Sequence, residues 1–511
     1  MTQSAPKFAV AAGDPLTADA AAEVLRAGGS AVDAAVAGAL VACVAEPVLA
    51  GMLGGGFLMV READGRAKVL DFFVHTPRRK MPLGEIDFRA VDADFGEATQ
   101  TFHIGAGSIA APGLAAGLAE AHARAGRIPF GELASAAVAH ARSGVALTPF
   151  QASVLGIVDP IYRASPEALA VFGDGIDPLK AGALYRNEAL GDVIETYARE
   201  GARFVQEGEV AQALLALDGS HLTALDLKRY QPRWRDPLVV ERGDARLMLN
   251  PAPSLGGTLI AFTLEMMQRG ADPLEVALAL AATSRARLES GLNGDPAGGA
   301  AQLASRDMIA RYRIAVAGRK AAVRGTTHIS VIDSQGTGAA LTLTNGEGSG
   351  LVAPGTGIMP NNMLGEEDLM PGDMHDWTPD VRLSSMMAPM AVDWVQGPQR
   401  GAVMMLGTGG ANRIRSALPQ VAAHVIDGGM RLEDAIAAPR IHVEGAHDPK
   451  VDFEDRFRGD HRKALLSAFP EASPWQSESM FFGGVHAVRR EARGGVEAAG
   501  DPRRAGVAHT F

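Results

Sequence analysis

The chain has 511 residues, too many for one ordinary hydrophobic core, so two or more structural units are expected. Hydrophobic residues make up 47% and charged residues 21%, the proportions of a soluble globular protein. The formal charge of -11 speaks against a nucleic-acid partner, because phosphate binding needs a basic surface; a small substrate in a local basic pocket stays open.

The opening residues, 1 to 16, hold no cationic stretch followed by a long apolar run. No secretory signal is visible, and a cytoplasmic location is expected. Thr17 to Ala27 reads as a helix stopped by Gly28-Gly29. Ser30 then stands as an N-cap with Asp33 three residues on, the pattern of a capping box. The run that follows, to about Val44, is apolar on most faces and therefore reads as a buried helix. It contains Cys43, the only cysteine, so no intrachain disulfide can form and an inert buried thiol is expected.

Residues 31 to 60 are strongly apolar, but Asp33, Glu46, Pro47 and the glycines from Gly51 to Gly56 interrupt them. A membrane helix needs about 20 apolar residues with few breaks, so a buried helix and a glycine-rich turn are predicted instead, with no membrane partner. The same glycines are followed by no Lys-Ser/Thr pair and form no G-x-G-x-x-G, which argues against a nucleotide site. Phe57 to Val60 and Ala67 to Phe72 read as strands around the turn Ala63-Asp64-Gly65-Arg66.

From Pro112 to about Leu225 alanine-rich helical stretches, such as Gly113 to Ala125 and Gly131 to Ala141, alternate with Gly/Pro punctuation. No internal repeat or low-complexity linker separates independent modules. The last third alternates differently. Thr326 to Asp333 and Ala339 to Thr344 have the period of strands, joined by Ser334-Gln335-Gly336 as a hairpin. Ala402 to Leu406 is a further strand running into Gly407-Thr408-Gly409-Gly410. A helix from near Asn412 to about Ile426, stopped by Gly428-Gly429, follows. Strand, tight glycine turn and helix together direct backbone amides at a site.

The segment Arg324-Gly325-Thr326-Thr327-His328 is where chemistry is expected. A threonine hydroxyl is a poor nucleophile unless a base sits beside it. As the first residue of a chain, Thr326 would carry its own base, an α-amino group with pKa near 8. That requires cleavage of the preceding bond, and Gly325 obstructs it little. Taken alone, Thr326 and Thr327 are more readily read as β-formers opening a strand. The thirteen histidines show no H-E-x-x-H or Cys/His spacing, so neither a metal nor another cofactor is expected, and His328 receives no chemical role.

An ordered set of motifs over about 480 residues decides between these readings. Leu25 to Leu40, Glu46-Pro47, Gly54-Gly55-Gly56-Phe57, Ala111-Pro112-Gly113 and Pro253-Ser254-Leu255-Gly256-Gly257 come first. Then follow Thr326-Thr327-His328-Ile329-Ser330, Pro354-Gly355-Thr356-Gly357-Ile358, Asn361-Asn362, Leu383-Ser384-Ser385-Met386, Gly407-Thr408-Gly409-Gly410, Ala438-Pro439-Arg440 and Asp501-Pro502-Arg503. In this order they resemble the gamma-glutamyltranspeptidases. The resemblance implies an α+β fold of the N-terminal-nucleophile hydrolase type, a four-layer αββα sandwich. It would be built jointly from a large chain, 1–325, and a small chain, 326–511, of one self-cleaved precursor. Thr326 is then the nucleophile, and Thr344, eighteen positions on, contacts it. Gly409 and Gly410 form the oxyanion hole, Ser384 and Ser385 bind the substrate carboxylate, and Glu366 pairs with the substrate ammonium. The implied reaction transfers a gamma-glutamyl group from an amide such as glutathione to water or an amino acid.

Three departures qualify the substrate. The family's carboxylate-binding arginine falls near Pro82, leaving Arg78 or Arg79 as candidates to replace it. Asn345-Gly346-Glu347 and Met363 depart from the usual residues. Only seventeen residues separate Glu366 from Ser384, which resembles members without a long lid. The alternatives are a related acylase acting on glutaryl or cephalosporin-type amides, and an uncleaved homologue that only binds ligands.

Overall fold

The computed structural model describes residues 6–94, 99–312, 325–370 and 374–511; Arg324 of the junction segment and residues 1–5 lie outside the described residues. Before position 325 the chain contributes β1 (Ala9–Ala12), β2 (Gly55–Arg61), β3 (Ala67–Phe72), β4 (Arg233–Arg235), β5 (Leu238–Arg242) and β6 (Ala245–Leu249) to the central sheets. After it come β7 (Thr327–Ile332), β8 (Gly338–Thr344), β9 (Met390–Trp394), β10 (Val403–Gly409), β11 (Gly484–Arg490), β12 (Val496–Ala499) and β13 (Val507–Thr510).

Among the described residues these strands form a seven-stranded sheet in the order β13-β1-β7-β8-β2-β3-β4 and a six-stranded sheet in the order β12-β11-β10-β9-β6-β5. Neighbouring strands in both are antiparallel. Each sheet draws strands from both sides of the Gly325–Thr326 bond. β1 lies between β13 and β7, and β8 pairs with β2. The two segments thus share one fold.

Alternation along the strands separates two buried faces. Val10, Leu58, Ile329, Val331, Leu341 and Leu343 meet an outer helical layer that includes α1 (Pro15–Arg26), α2 (Ala31–Ala45), α3 (Leu114–Ala125) and α4 (Phe130–Ser143). Ala9, Ala11, Phe57, Met59, Ile332 and Ala340 point to the other sheet. Beyond that second sheet pack α5 (Gly256–Met266) and α6 (Ile414–Ile426), through Leu259, Phe262, Leu418 and Val421 among others. The order of layers is αββα, as the resemblance implied.

Local predictions are met where a physical signal was strong. Ser30 Oγ accepts from Asp33 N at 3.0 Å while Asp33 Oδ2 accepts from Ser30 N at 2.9 Å, closing the capping box. Every residue of α2 is buried, Cys43 included. Helix α1 starts two residues earlier than expected, because Asp14 caps it by accepting from Leu16 N and Pro15 opens its first turn. No helix among the described residues is long and apolar enough to cross a membrane.

Candidate active site

The β7–β8 hairpin sets Thr327 opposite Leu343, so Thr326, just before β7, lies beside Thr344, the last residue of β8. Thr326 is buried, with 5% of its surface exposed. Its Oγ1 donates to the Gly325 carbonyl oxygen at 2.7 Å, and Thr344 Oγ1 donates to the same oxygen at 2.8 Å. Thr344 Oγ1 in turn accepts from Gly346 N at 3.0 Å, which fixes the direction of its own proton. At the other end of the same residue, Gly325 N donates to Glu347 Oε1 at 2.7 Å.

Gly409 closes β10 directly against Thr326. A Cβ there would stand 2.0 Å from the Thr326 carbonyl oxygen, a distance only glycine avoids. Gly410 follows at φ +116°, in the left-handed region. The chain then makes a single 3-10 turn, Ala411–Arg413, before α6 begins at Ile414. The helix expected from Asn412 therefore starts two residues later. Thr408 Oγ1 accepts from Gly484 N at 2.8 Å and pins the turn from the neighbouring strand.

Arg504, which sequence reasoning passed over, reaches the same point: Nη1 donates to the Thr326 carbonyl at 3.4 Å. Burial lowers its pKa to about 10, still charged at neutral pH. It sits beside the meeting place of two motifs distant in sequence. Arg440 Nη2 pairs with Asp501 Oδ2 at 2.5 Å, and Arg503 Nη1 with Asp501 Oδ1 at 3.2 Å. Arg440 also donates to the Phe482 carbonyl at 3.1 Å, and Asp501 Oδ2 accepts from Val485 N at 2.9 Å, next to the start of β11.

A second polar group lies beneath the hairpin. Thr17 Oγ1 donates to Glu46 Oε1 at 2.9 Å. Burial, and then the negative charge of Asp14, raise the Glu46 pKa to about 8, with the Thr327 and Thr17 hydroxyls opposing the shift. Burial also raises Asp14, to about 6. Between the sheets, His328 is held by Thr342 Oγ1 at 2.7 Å and Ser330 Oγ at 2.8 Å. Burial pushes its pKa well below the usual value, so it is a neutral core residue.

A cavity of about 40 Å³ opens beside Thr326. Thr344, Glu366 and Ser385 line it with the apolar side chains of Met363, Met386 and their neighbours; among the described residues no Arg or Lys lines it. Gly325 itself forms part of the wall. Ser384 is turned away, into an adjoining cleft of about 410 Å³ that also holds Arg382 and Trp377 and shares Leu369 with the first. Neither proposed arginine lines the Thr326 cavity. Arg78 pairs with Asp226 at 3.3 Å and Asp380 at 3.0 Å, while Arg79 is exposed and donates to Met81 Sδ. The structure thus gathers Thr326, Thr344, Gly409, Glu366 and Ser385, with Gly410 at the same turn, and sets Ser384, Arg78 and Arg79 apart.

Two facing antiparallel sheets between helical layers, with a threonine at the head of a central strand, define the fold of the N-terminal-nucleophile hydrolases. The family model described as gamma-glutamyltranspeptidase matches residues 17–511. The chain is similar to the glutathione hydrolase proenzyme of Pseudomonas aeruginosa, 29% identical over 98% of this chain and 94% of that protein. It is also similar to the acylase ACY 1 proenzyme of a Pseudomonas species (strain V22), 28% identical over 84% of this chain and 81% of that protein. Among solved structures, cephalosporin acylase from Bacillus halodurans superposes with a TM-score of 0.82 at 22% identity, covering 99% of this chain and 96% of that one. This chain belongs to the gamma-glutamyltranspeptidase family and is an enzyme of that type.

Proposed function

We propose that the protein is a self-processing amidohydrolase in which cleavage after Gly325 frees Thr326 as the N-terminal nucleophile. The observation that carries this reading is the convergence of the Thr326 and Thr344 hydroxyls on the Gly325 carbonyl. Once free, the Thr326 α-amino group takes the hydroxyl proton as Oγ1 attacks an acyl carbon. Thr344 orients the hydroxyl, and the Gly409 and Gly410 amides receive the developing oxyanion; such a donor contributes about 3 kcal/mol. The acyl group then passes to water or an amino acid. Residues 1–325 and 326–511 become large and small chains that stay together through the shared sheets.

The substrate reading is a gamma-glutamyl amide, of which glutathione is the type, with Glu366 on the ammonium and Ser385, with Ser384 from the adjoining cleft, on the carboxylate side. A second reading, an acylase for amides lacking the α-carboxylate, is favoured by one observation: among the described residues the Thr326 cavity is lined by a carboxylate and by no cationic side chain. Hydrolysis of gamma-glutamyl-4-nitroanilide by wild type and not by Thr326→Ala supports the first reading. Turnover confined to other acyl anilides moves the second to its place, and equal turnover by both proteins rejects Thr326 as nucleophile.

A further inference from the structure

We propose that Glu347 is a positioning residue for cleavage of the Gly325–Thr326 bond, holding the Gly325 peptide so that its carbonyl faces the two threonine hydroxyls. The inference rests on the self-cleavage reading above. Glu347 is 2% exposed, and its Oε1 accepts from Gly325 N at 2.7 Å. Thr344, three residues earlier, holds the carbonyl of the same glycine at 2.8 Å. One short loop therefore grips Gly325 at its nitrogen and its oxygen.

The loop is itself fixed. The backbone amides of Glu347 and Gly348 both donate to Asn362 Oδ1, at 2.9 and 3.2 Å. Gly346, at φ +67°, lets the loop come this close: a Cβ there would stand 2.2 Å from Asn362 Oδ1 and 2.4 Å from Glu366 Oε1. Gly325 fits with little room, since its own Cβ would meet Glu347 Oε2 at 3.1 Å and the Gly346 carbonyl at 3.3 Å. The negative charge of Glu347 in turn acts on Arg504, raising its pKa against the burial that lowers it.

With Gly325 held at both its nitrogen and its carbonyl oxygen, the scissile carbonyl stays within reach of the attacking hydroxyl, which is the geometric condition for fast intramolecular attack. In that step Thr326 Oγ1 bonds to the Gly325 carbonyl carbon, the C–N bond breaks, and the hydroxyl proton passes to the departing nitrogen. One water then hydrolyses the resulting ester to the Gly325 carboxylate and a proton, restoring the Thr326 hydroxyl.

The test is a time course of cleavage in freshly synthesised full-length chain, followed on denaturing gels. Glu347→Ala loses the acceptor and is expected to divide ten- to a hundredfold more slowly, as for a lost charge-assisted hydrogen bond. Glu347→Gln keeps an acceptor oxygen in place and should divide within about threefold of wild type. A merely structural role would lower the thermal midpoint of Glu347→Ala and leave the cleavage rate unchanged. Cleavage of Glu347→Ala at the wild-type rate overturns the proposal, as does a folded Glu347→Gln as slow as the alanine variant. If the alanine variant does not fold, Glu347→Asp, shorter by one methylene, carries the test; slow cleavage supports the proposal and wild-type cleavage overturns it. A wild-type chain that never divides removes the cleavage reading and this proposal with it.

Discussion

Thr326 and Thr344 aim their hydroxyls at one acceptor, the Gly325 carbonyl oxygen, from 2.7 and 2.8 Å. Thr326 can attack that carbonyl only by giving up its hydrogen bond to it, whereas Thr344 can keep donating as negative charge grows on the oxygen. Thr344→Ala is therefore expected to slow both cleavage and turnover by about ten- to a hundredfold, the worth of a donor to a charged group. Thr344→Ser, which retains the donor, should stay within a few-fold. Timed gels and kcat on anilide substrates measure both.

Gly409→Ala places a methyl group 2.0 Å from the Thr326 carbonyl oxygen, so the head of β7 must move. Turnover is expected to fall by about a hundredfold or more, since displacement of about 1 Å near the reacting atoms already costs that much. Gly410→Ala meets no atom closer than 3.1 Å, but it must hold φ +116°, at a backbone cost of roughly 1–2 kcal/mol. Circular dichroism with native content is the control for both. Full turnover in a folded Gly409→Ala enzyme would remove the close-packing argument.

Substrate discrimination follows from the lining of the Thr326 cavity. Three matched anilides separate the groups: gamma-glutamyl carries ammonium and carboxylate, glutaryl the carboxylate alone, and 4-aminobutyryl the ammonium alone. With Glu366 in the cavity and no cation on its wall among the described residues, losing the ammonium is expected to cost kcat/KM about ten- to a hundredfold, and losing the carboxylate much less. Glu366→Gln should erase the first difference. Equal wild-type rates on the gamma-glutamyl and glutaryl anilides reject Glu366 as the selector.

The buried carboxyl of Glu46 makes stability depend on pH. Its pKa is raised from 4.5 to about 8, so the folded chain holds the proton more tightly than the unfolded one. That contribution is full below about pH 4.5 and is lost as pH rises through about 8, with a slope approaching 1.4 kcal/mol per pH unit for one proton. Asp14, raised to about 6, acts in the same direction. Glu46→Gln stays neutral at every pH, so its thermal midpoint should fall less than that of wild type between pH 5 and 9. Parallel curves would show that Glu46 holds no extra proton.

Much of the fold was legible because its strands alternate and its helices carry caps. The hairpin that aligns Thr326 with Thr344 could be read from period-two alternation alone. The start of α6 was misplaced because Gly410 and Ala411 both take positive φ and insert a 3-10 turn, which composition does not reveal. Ser384 and Ser385 look alike in sequence, yet they face different clefts. Glu347 and Arg504 are single charged residues in loops, and neither has a pattern that announces its contact with the junction. Only the folded chain brings Glu347, 22 residues beyond Gly325, and Arg504, 178 residues beyond Thr326, to the two residues of the junction.

The most direct measurement is the intact mass and N-terminal sequence of the purified wild-type protein under denaturing conditions, beside Thr326→Ala. Wild type should give two fragments of about 34 and about 19 kDa, in proportion to their lengths, with the smaller beginning Thr-Thr-His-Ile-Ser. Thr326→Ala should remain one chain of 53.2 kDa, less the small mass lost in the substitution, and turn over nothing. A wild-type protein that stays a single chain and still hydrolyses its amide substrate would contradict the account.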